Sequence, residues 1–550
     1  MSEAKVCKKC KTDFIIESED FAFYEKIGVP APTLCPACRM QRRMYFFNER
    51  SLYRRTCGLC KKEVISAHRP DAPHPVFCQP CWWSDAWDPL SPEYGGSKEY
   101  DLSRTFFEQF RDLRDLFPLP AMNNIYTSNV NSEYVNMCSY LKNCYLCFNS
   151  DYNEDSSFSC YLEKSKWCYD VDHGYINEYC YDSIGLFKCY RVKYSANIEE
   201  SMDVMFSRDL KNCSNCFGCV NLRGKQYCIF NEQKTKETYF EELKKYDLTS
   251  LEVVLGLKKQ CEEFFLKYPR KLLTGIQNKN VVGDYIFNSK NVTQSYDIVG
   301  GEDCKYCQFF IIEGSKNCMD VTMWGSHLTQ AYECMGVGNK QNNVLFCWEC
   351  WNEATNMTYC KHILAPNSDL FGCIGLRNKQ YCILNKLYSK EEYERQLSAI
   401  KSQMLSAGEY GEFFPVEMSL YGYNETFANK YLPLSKEEAL AKGFRWSDPE
   451  ARNYEIGGDI IGCEHKEQCG QQCTGAFKLT ENEKGYYQMG GLPTPNLCPN
   501  CRHYERIKIR NPIEFYHRNC GKCGVEISTN YSPDRLEIVY CETCYLSEVA

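Results

Sequence analysis

Residues 217–231 read FGCVNLRGKQYCIFN, and residues 371–385 read FGCIGLRNKQYCILN. Two segments this alike, far apart in one chain, mark an internal duplication. Each runs into a helical pattern, KTKETYFEELKKY from Lys234 and YSKEEYERQLSAIKSQM from Tyr388. In the second, the spacing of Ser389 and Glu392 predicts a capping box. Upstream of each copy, shorter phrases recur. LKNCYLCFN, KSKWCYDVD, GLFKCYRVK and LKNCSNCFG place Cys144, Cys168, Cys189 and Cys213 at near-regular intervals. GEDCKYCQF, GSKNCMDVT, QAYECMGVG and NVLFCWECW continue the theme in the second half. Short Cys/Tyr/Phe/Val runs broken by Ser, Asn, Gly and Asp read as short strands and turns. Their spacing predicts a parallel β-solenoid with coils of about 20 to 24 residues.

The fold class expected is therefore mainly β: a duplicated central parallel β-solenoid (β-helix) with helical insertions, flanked at both ends by zinc-ribbon or treble-clef-like modules. Most central cysteines read as buried thiols, because a small apolar side chain stacks well inside such a ladder. Cys213/Cys216/Cys219, Cys304/Cys307 and Cys347/Cys350 are the exceptions whose spacing would suit a metal. Tyr145, Tyr169 and Tyr190 beside the cysteines are expected to face outward.

The chain has 550 residues, 38 cysteines, 41 tyrosines and a formal net charge of -8. That length predicts several domains. The start, MSEAKVCKKCKTDF, shows no apolar secretory core, and no apolar run reaches the roughly 18 residues of a membrane span. Many cysteines without such a leader point to a reducing, cytoplasmic setting, where paired cysteines bind metal more often than they form disulfides.

The two ends carry the paired cysteines. Near the start these are Cys7/Cys10, Cys35/Cys38, Cys57/Cys60 and Cys78/Cys81; near the end, Cys469/Cys473, Cys498/Cys501, Cys520/Cys523 and Cys541/Cys544. The Cys38-to-Cys57 interval equals that from Cys501 to Cys520, and Cys60-to-Cys78 equals Cys523-to-Cys541. Phe14 and Tyr24 have counterparts in Phe477 and Tyr487 at matching offsets. Four thiolates satisfy tetrahedral zinc and leave no open catalytic position, so about four structural zinc ions are expected. Sequential pairing of knuckles is simplest, and cross-braced pairing stays open. CGLC and CGKC put a glycine inside the knuckle turn. At the last module's start, Cys463 and His465 are nearby substitutes for a ligand.

The stretch CKKCKTDFIIESEDFAFYEKIGVPAPTLCPACRMQRR resembles the small bacterial "probable zinc-ribbon" domain, with Phe14, Phe23, Tyr24, Gly28 and Pro30 at its marked positions. The same pattern returns at the other end. The resemblance implies a zinc-binding fold and no particular activity. The chain as a whole, including YGEFFPVEMSLYGYNETFANKYLPLSKEEA, is similar to uncharacterised Cys-rich proteins of candidate-phyla bacteria.

The organisation expected is a double zinc module over 1–83, then a linker and amphipathic helix over 84–124. In that helix Phe106, Phe107, Phe110, Leu113 and Leu116 share a face. The solenoid halves occupy 125–233 and 280–385, joined by a helical connector over 234–279. Helix and irregular structure fill 386–460, and the second double zinc module 463–550.

Function is less determined. No HExxH, Walker loop or nucleophile elbow is present. From Arg39 to Lys62 there are eight Lys/Arg and one acid. Part of that charge offsets the thiolates. The rest, Arg39, Arg42, Arg43, Arg50, Arg54 and Arg55 interleaved with Tyr45, Phe46, Phe47 and Tyr53, suits phosphate contact and base stacking. The reading is a non-enzymatic zinc-binding scaffold contacting nucleic acid or a ribonucleoprotein through its N-terminal module, with protein partners on the solenoid and no membrane. The alternatives are a scaffold for protein assembly alone, or a β-helix carbohydrate-active enzyme using Asp170, Asp172 and His173.

Overall fold

Tripeptides with a left-handed middle residue build the central walls of this protein. In the computed structural model, which describes residues 2–125, 127–448 and 455–549, every third residue from Met137 to Asp182 has positive φ. The values begin at 59° for Met137 and 54° for Tyr140. Each such residue turns a corner, and the residue after it points inward. Four triplets close one coil. Asn136, Phe148, Cys160, Asp172, Ile184, Ala196 and Arg208 therefore pair in parallel, one above the next, at a repeat of 12 residues.

This is a β-solenoid, as the sequence predicts, but its coil is about half the expected length. The cysteine phrases mislead because equivalent cysteines skip coils. Cys144 and Cys168 occupy one corner two coils apart, with Ser156 at that corner of the intervening coil. A corner every three residues also explains the composition. Cys138, Cys144, Cys147, Cys168, Cys180, Cys189, Cys213, Cys216, Cys219 and Cys228 all fall on the inward place of a triplet, and all are buried. Left-handed backbone costs a non-glycine residue roughly 1–2 kcal/mol. The ladder hydrogen bonds and the close-packed axis offset that cost at each turn.

The inward residues also satisfy the backbone. Serine or asparagine in one coil accepts from an inward N–H in the next: Leu162 to Ser150, Ser165 to Asn153, Cys189 to Asn177 and Ser207 to Ser195, at 2.9–3.1 Å. Inward thiols donate to carbonyls, as Cys138 does to Asn136 and Cys147 at 3.3 and 3.4 Å. Cys213, Cys216, Cys219, Cys304, Cys307, Cys347 and Cys350 do the same, and their thiols serve the core in this way.

The chain forms two compact units, each drawn from distant segments. The first joins Met1–Ala121 with Leu273–Leu432 and Lys436–Ser447. The second joins Met122–Leu272 with Pro433–Ser435 and Asp448–Ala550. The solenoid of the first unit is slightly wider. Ala331, Val344, Met357 and Leu370 stack at a repeat of 13. Its longest strands are Lys290–Val299, Lys316–Gly325 and Thr329–Gly338.

The duplicated FGC…QYC segments close each solenoid. In the second unit Gln226–Ile229 ends the parallel ladder and turns back against Glu232–Gln233. Asn231, with φ of 64°, accepts from Val220 N–H at 2.9 Å and donates to its carbonyl at 3.0 Å. In the first unit Asn385 and Ile374 make the same pair, both bonds 2.9 Å. A helix then packs over the open edge, which would otherwise template further strands. Leu251–Phe265 buries Val254, Leu257, Cys261 and Phe265 against Phe217, Val220 and Ile229. Lys390–Ala407 follows in the other unit, started by the expected Ser389/Glu392 capping box and stopped at Gly408, whose φ is 70°. The helix Phe106–Leu116 forms as expected, except that Leu116 faces solvent.

The serine–amide bonds predict an asymmetric mutational response. Ser195→Ala leaves the Ser207 N–H without its acceptor and is expected to cost about 1–3 kcal/mol. Ser195→Cys keeps a weak acceptor of similar size and is expected to cost less. Urea titration of the full chain, followed by far-UV circular dichroism, checks the order.

Candidate metal centres

Each terminal half-module is a β-hairpin knuckle facing a helix. Glu3–Val6 and Asp13–Ile16 form the first hairpin, with Cys7 and Cys10 in its turn; Cys35 caps the helix Pro36–Met44, and Cys38 sits in that helix's first turn. Tyr53–Thr56 with Glu63–Ser66 and the helix Gln79–Trp82 repeat the arrangement for Cys57, Cys60, Cys78 and Cys81. The hairpin Tyr516–Asn519 with Glu526–Thr529 and the helix Glu542–Val549 do so for Cys520, Cys523, Cys541 and Cys544. Pairing is sequential, first knuckle with second and third with fourth, since the four Sγ atoms of each set lie within 4.8 Å of one another.

The turn chemistry differs from the expected glycine rule. The left-handed position follows the second cysteine and is filled by Lys11, Lys61 and Gly524, with φ of 64°, 63° and 76°. Gly58 and Gly521 serve close packing instead. A Cβ on Gly58 would lie 3.1 Å from Phe77, and one on Gly521 2.9 Å from Ile538.

One backbone contact recurs in all four sets. The N–H of the helix-capping cysteine donates to the first cysteine of the hairpin: Cys35 to Cys7, Cys78 to Cys57 and Cys498 to Cys463 at 3.3 Å, Cys541 to Cys520 at 3.2 Å. This identifies Cys463 as the counterpart of Cys7. The third cluster is Cys463, Cys473, Cys498 and Cys501, so Cys463 takes the place expected for Cys469. The sequence obscures this because the segment 464–472 separates the two hairpin cysteines.

The donor sets fit zinc. With Zn–S near 2.3 Å, tetrahedral geometry sets sulfurs about 3.8 Å apart. Cys10 and Cys35 are 3.7 Å apart, Cys60 and Cys78 3.8 Å, and Cys523 and Cys541 3.8 Å. Burial opposes ionisation of Cys57 and Cys520, but backbone N–H groups from both knuckles bring each thiol down to about 6. Four such clusters hold about four zinc ions in closed, structural sites.

The basic stretch behind Cys38 lies inside the protein. The helix Pro36–Met44 packs on the strands Lys316–Gly325 and Thr329–Gly338. Arg39 reaches Asp320 at 2.7 Å and Arg43 reaches it at 3.2 Å; Arg42 bonds Glu333 at 2.8 Å and Glu412 at 3.0 Å. Asp320 and Glu333 are fully buried. The other end mirrors this. The helix Pro499–Ile507 lies on Tyr169–Tyr175 and Tyr181–Phe187. Arg502 bonds Asp170 at 2.9 Å; Arg506 bonds Asp170 and Asp172, each at 2.7 Å; His503 bonds Asp172 at 3.1 Å.

These contacts place most of the basic stretch expected at a nucleic-acid surface inside the protein. Arg39, Arg42, Arg43 and Arg50 are buried, as are Tyr45, Phe46 and Phe47. Phe46 packs edge-on against Trp348 at 4.9 Å. Arg55 donates to the carbonyls of Arg69 and His74. Arg54 is exposed, beside Glu63 at 2.9 Å, on a cavity of about 310 Å³ that Arg55, Thr56 and Pro70 also line. The carboxylates considered for carbohydrate chemistry, Asp170 and Asp172, face the docking helix. His173 stacks on Tyr161 at 4.8 Å. Tyr169, expected outside, is covered by Tyr486 at 4.0 Å. Sequence reasoning missed the docking carboxylates; the Asp170/Asp172 pair beside Cys168, matched by Asp320 beside Met319, was the available signal.

A family model described as "Probable treble clef domain" matches residues 3–46. A hairpin knuckle followed by a helical knuckle is that arrangement, so the N-terminal domain is a treble-clef zinc domain. No curated protein matches the chain. No helix among the described residues is long and apolar enough to cross a membrane.

Removing one partner of a buried ion pair strands the other. Arg506→Ala leaves Asp172 underpaired and is expected to cost about 3–5 kcal/mol, with zinc content unchanged. Urea titration together with elemental analysis separates this docking role from a role in metal binding.

Proposed function

We propose that this zinc-binding scaffold serves protein assembly: the zinc modules clamp the solenoid walls, and the uncovered walls carry protein partners. The consumption of Arg39, Arg42 and Arg43 by Asp320, Glu333 and Glu412 carries this reading. A module that spends its cations and aromatic rings on its own solenoid has few left for phosphate. One edge of the solenoid in the second unit supports the reading too. Tyr140 and Tyr152 stack there at 4.7 Å, and Tyr175 and Phe187 at 5.8 Å, all at least partly open to solvent. Lys164 lies over Tyr175 and Lys188 over Phe187, each 4.9 Å from the ring. Solvent-facing aromatic rings are enriched at protein interfaces, and the lysines beside them keep this edge soluble until a partner covers it.

A second reading keeps nucleic-acid contact, centred on Arg54 and its cavity. Fluorescence anisotropy of the zinc-loaded full chain with single-stranded RNA and DNA decides between them. The assembly reading expects no binding at 50 mM salt beyond that of Arg54→Ala. Binding that weakens steeply with salt and is lost in Arg54→Ala would overturn it in favour of nucleic acid.

A further inference from the structure

The third cluster has more ligands beside it than one zinc ion uses. In the N-terminal domain only Lys8 and Lys9 separate Cys7 from Cys10. In the C-terminal domain the hairpin turn expands into the segment 464–472, which carries His465 and Cys469. That segment is fastened to the helix Pro499–Ile507: Asn500 donates to the Gln472 carbonyl at 2.9 Å, and Gln471 to Glu505 at 2.9 Å. Glu464 N–H bonds the Asn496 carbonyl at 2.9 Å.

From these elements we infer a second metal site in this domain, formed by His465, Cys469 and Cys501, with the Cys501 thiolate bridging it to the structural zinc. The three donor atoms lie within 4.8 Å of one another. Cys469 Sγ is 3.6 Å from Cys501 Sγ, close to the separation of neighbouring ligands in the structural clusters and to the roughly 3.8 Å of tetrahedral zinc. His465 Nδ1 is buried and has no hydrogen-bond partner. A buried ring nitrogen left without a partner is costly unless something binds it, and a metal ion supplies that partner.

Charge supports the same assignment. A divalent ion on four thiolates carries a formal -2. Adding Cys469 as thiolate, neutral His465 and a second divalent ion brings the pair of sites to about -1, which a partly buried location tolerates better. With three protein ligands, the second site leaves one coordination position for solvent, so it exchanges metal faster than the closed clusters. Among divalent ions the mixed sulfur and nitrogen set selects zinc over magnesium or calcium.

The test uses the full chain loaded with zinc and freed of excess metal, with zinc measured per chain by elemental analysis. The wild type is expected to hold one zinc ion more than His465→Ala/Cys469→Ser, and this extra ion to leave first under a chelator. The variant should retain the zinc of its closed clusters and an unchanged far-UV spectrum. In the cobalt-substituted protein, the wild type should show additional thiolate-to-cobalt absorption that Cys469→Ser lacks. A wild-type zinc content no greater than the four closed clusters hold would overturn the inference, whatever the variants do. So would a variant that keeps every ion of the wild type.

Discussion

A left-handed residue at every third position is the constraint on which the solenoid depends. It turns the chain through a corner after each tripeptide, so four tripeptides close a coil and ladder partners lie twelve residues apart in the second unit. So tight a coil leaves little room on its axis. It also aims inward amides that the parallel ladder does not reach. Cysteine, serine and asparagine meet both demands: each is small, and each offers an atom to the adjoining coil. Leucine, valine and isoleucine fill the places between, as the buried cluster of Leu162, Val171, Leu186, Val192 and Ile198 does.

The same corners prepare the outer wall. Asp170 and Asp320 occupy left-handed corner positions, with φ of 56° and 58°, and aspartate is among the residues that tolerate this region. Their carboxylates receive the arginines of the helices behind the second knuckles. Zinc fixes the start of each of those helices, because its capping cysteine is a ligand. The metal therefore sets the position from which Arg39 and Arg43, or Arg502 and Arg506, reach the wall. Knuckle and wall are coupled through one rigid helix at each end.

Much of this was legible in the sequence, because duplication is written in residue types. The two FGC…QYC segments predicted repeated solenoid halves, and matched cysteine intervals predicted the four clusters. Coil length was not legible. A three-residue period is neither the alternation of a strand nor the turn of a helix, and the most conspicuous cysteines sample alternate coils. The arginines were misread for a different reason. A basic run with aromatics looks the same whether its partner is phosphate outside or an aspartate hundreds of residues away, as Arg39 and Asp320 are. Cys463 was hidden by the segment 464–472, which breaks the Cys-x-x-Cys spacing while leaving the backbone contact to Cys498 intact.

The discontinuity of the two units bears on how the protein is made. The N-terminal domain docks on a solenoid that begins near Leu273 and on segments reaching Ser447. At typical synthesis rates of roughly 5–20 residues per second, that surface emerges on the order of tens of seconds after the first knuckles. The docking face, with Arg39, Arg43 and Phe46, is uncovered throughout that interval. Each coil meanwhile needs only its neighbour to form, so the solenoid of the second unit can assemble during translation. The zinc clusters draw their ligands from short stretches of chain and can close early. Metal capture then holds the N-terminal domain in its folded form while its landing site is still being translated, which gives the ion a part in the timing of biogenesis as well as in the finished structure.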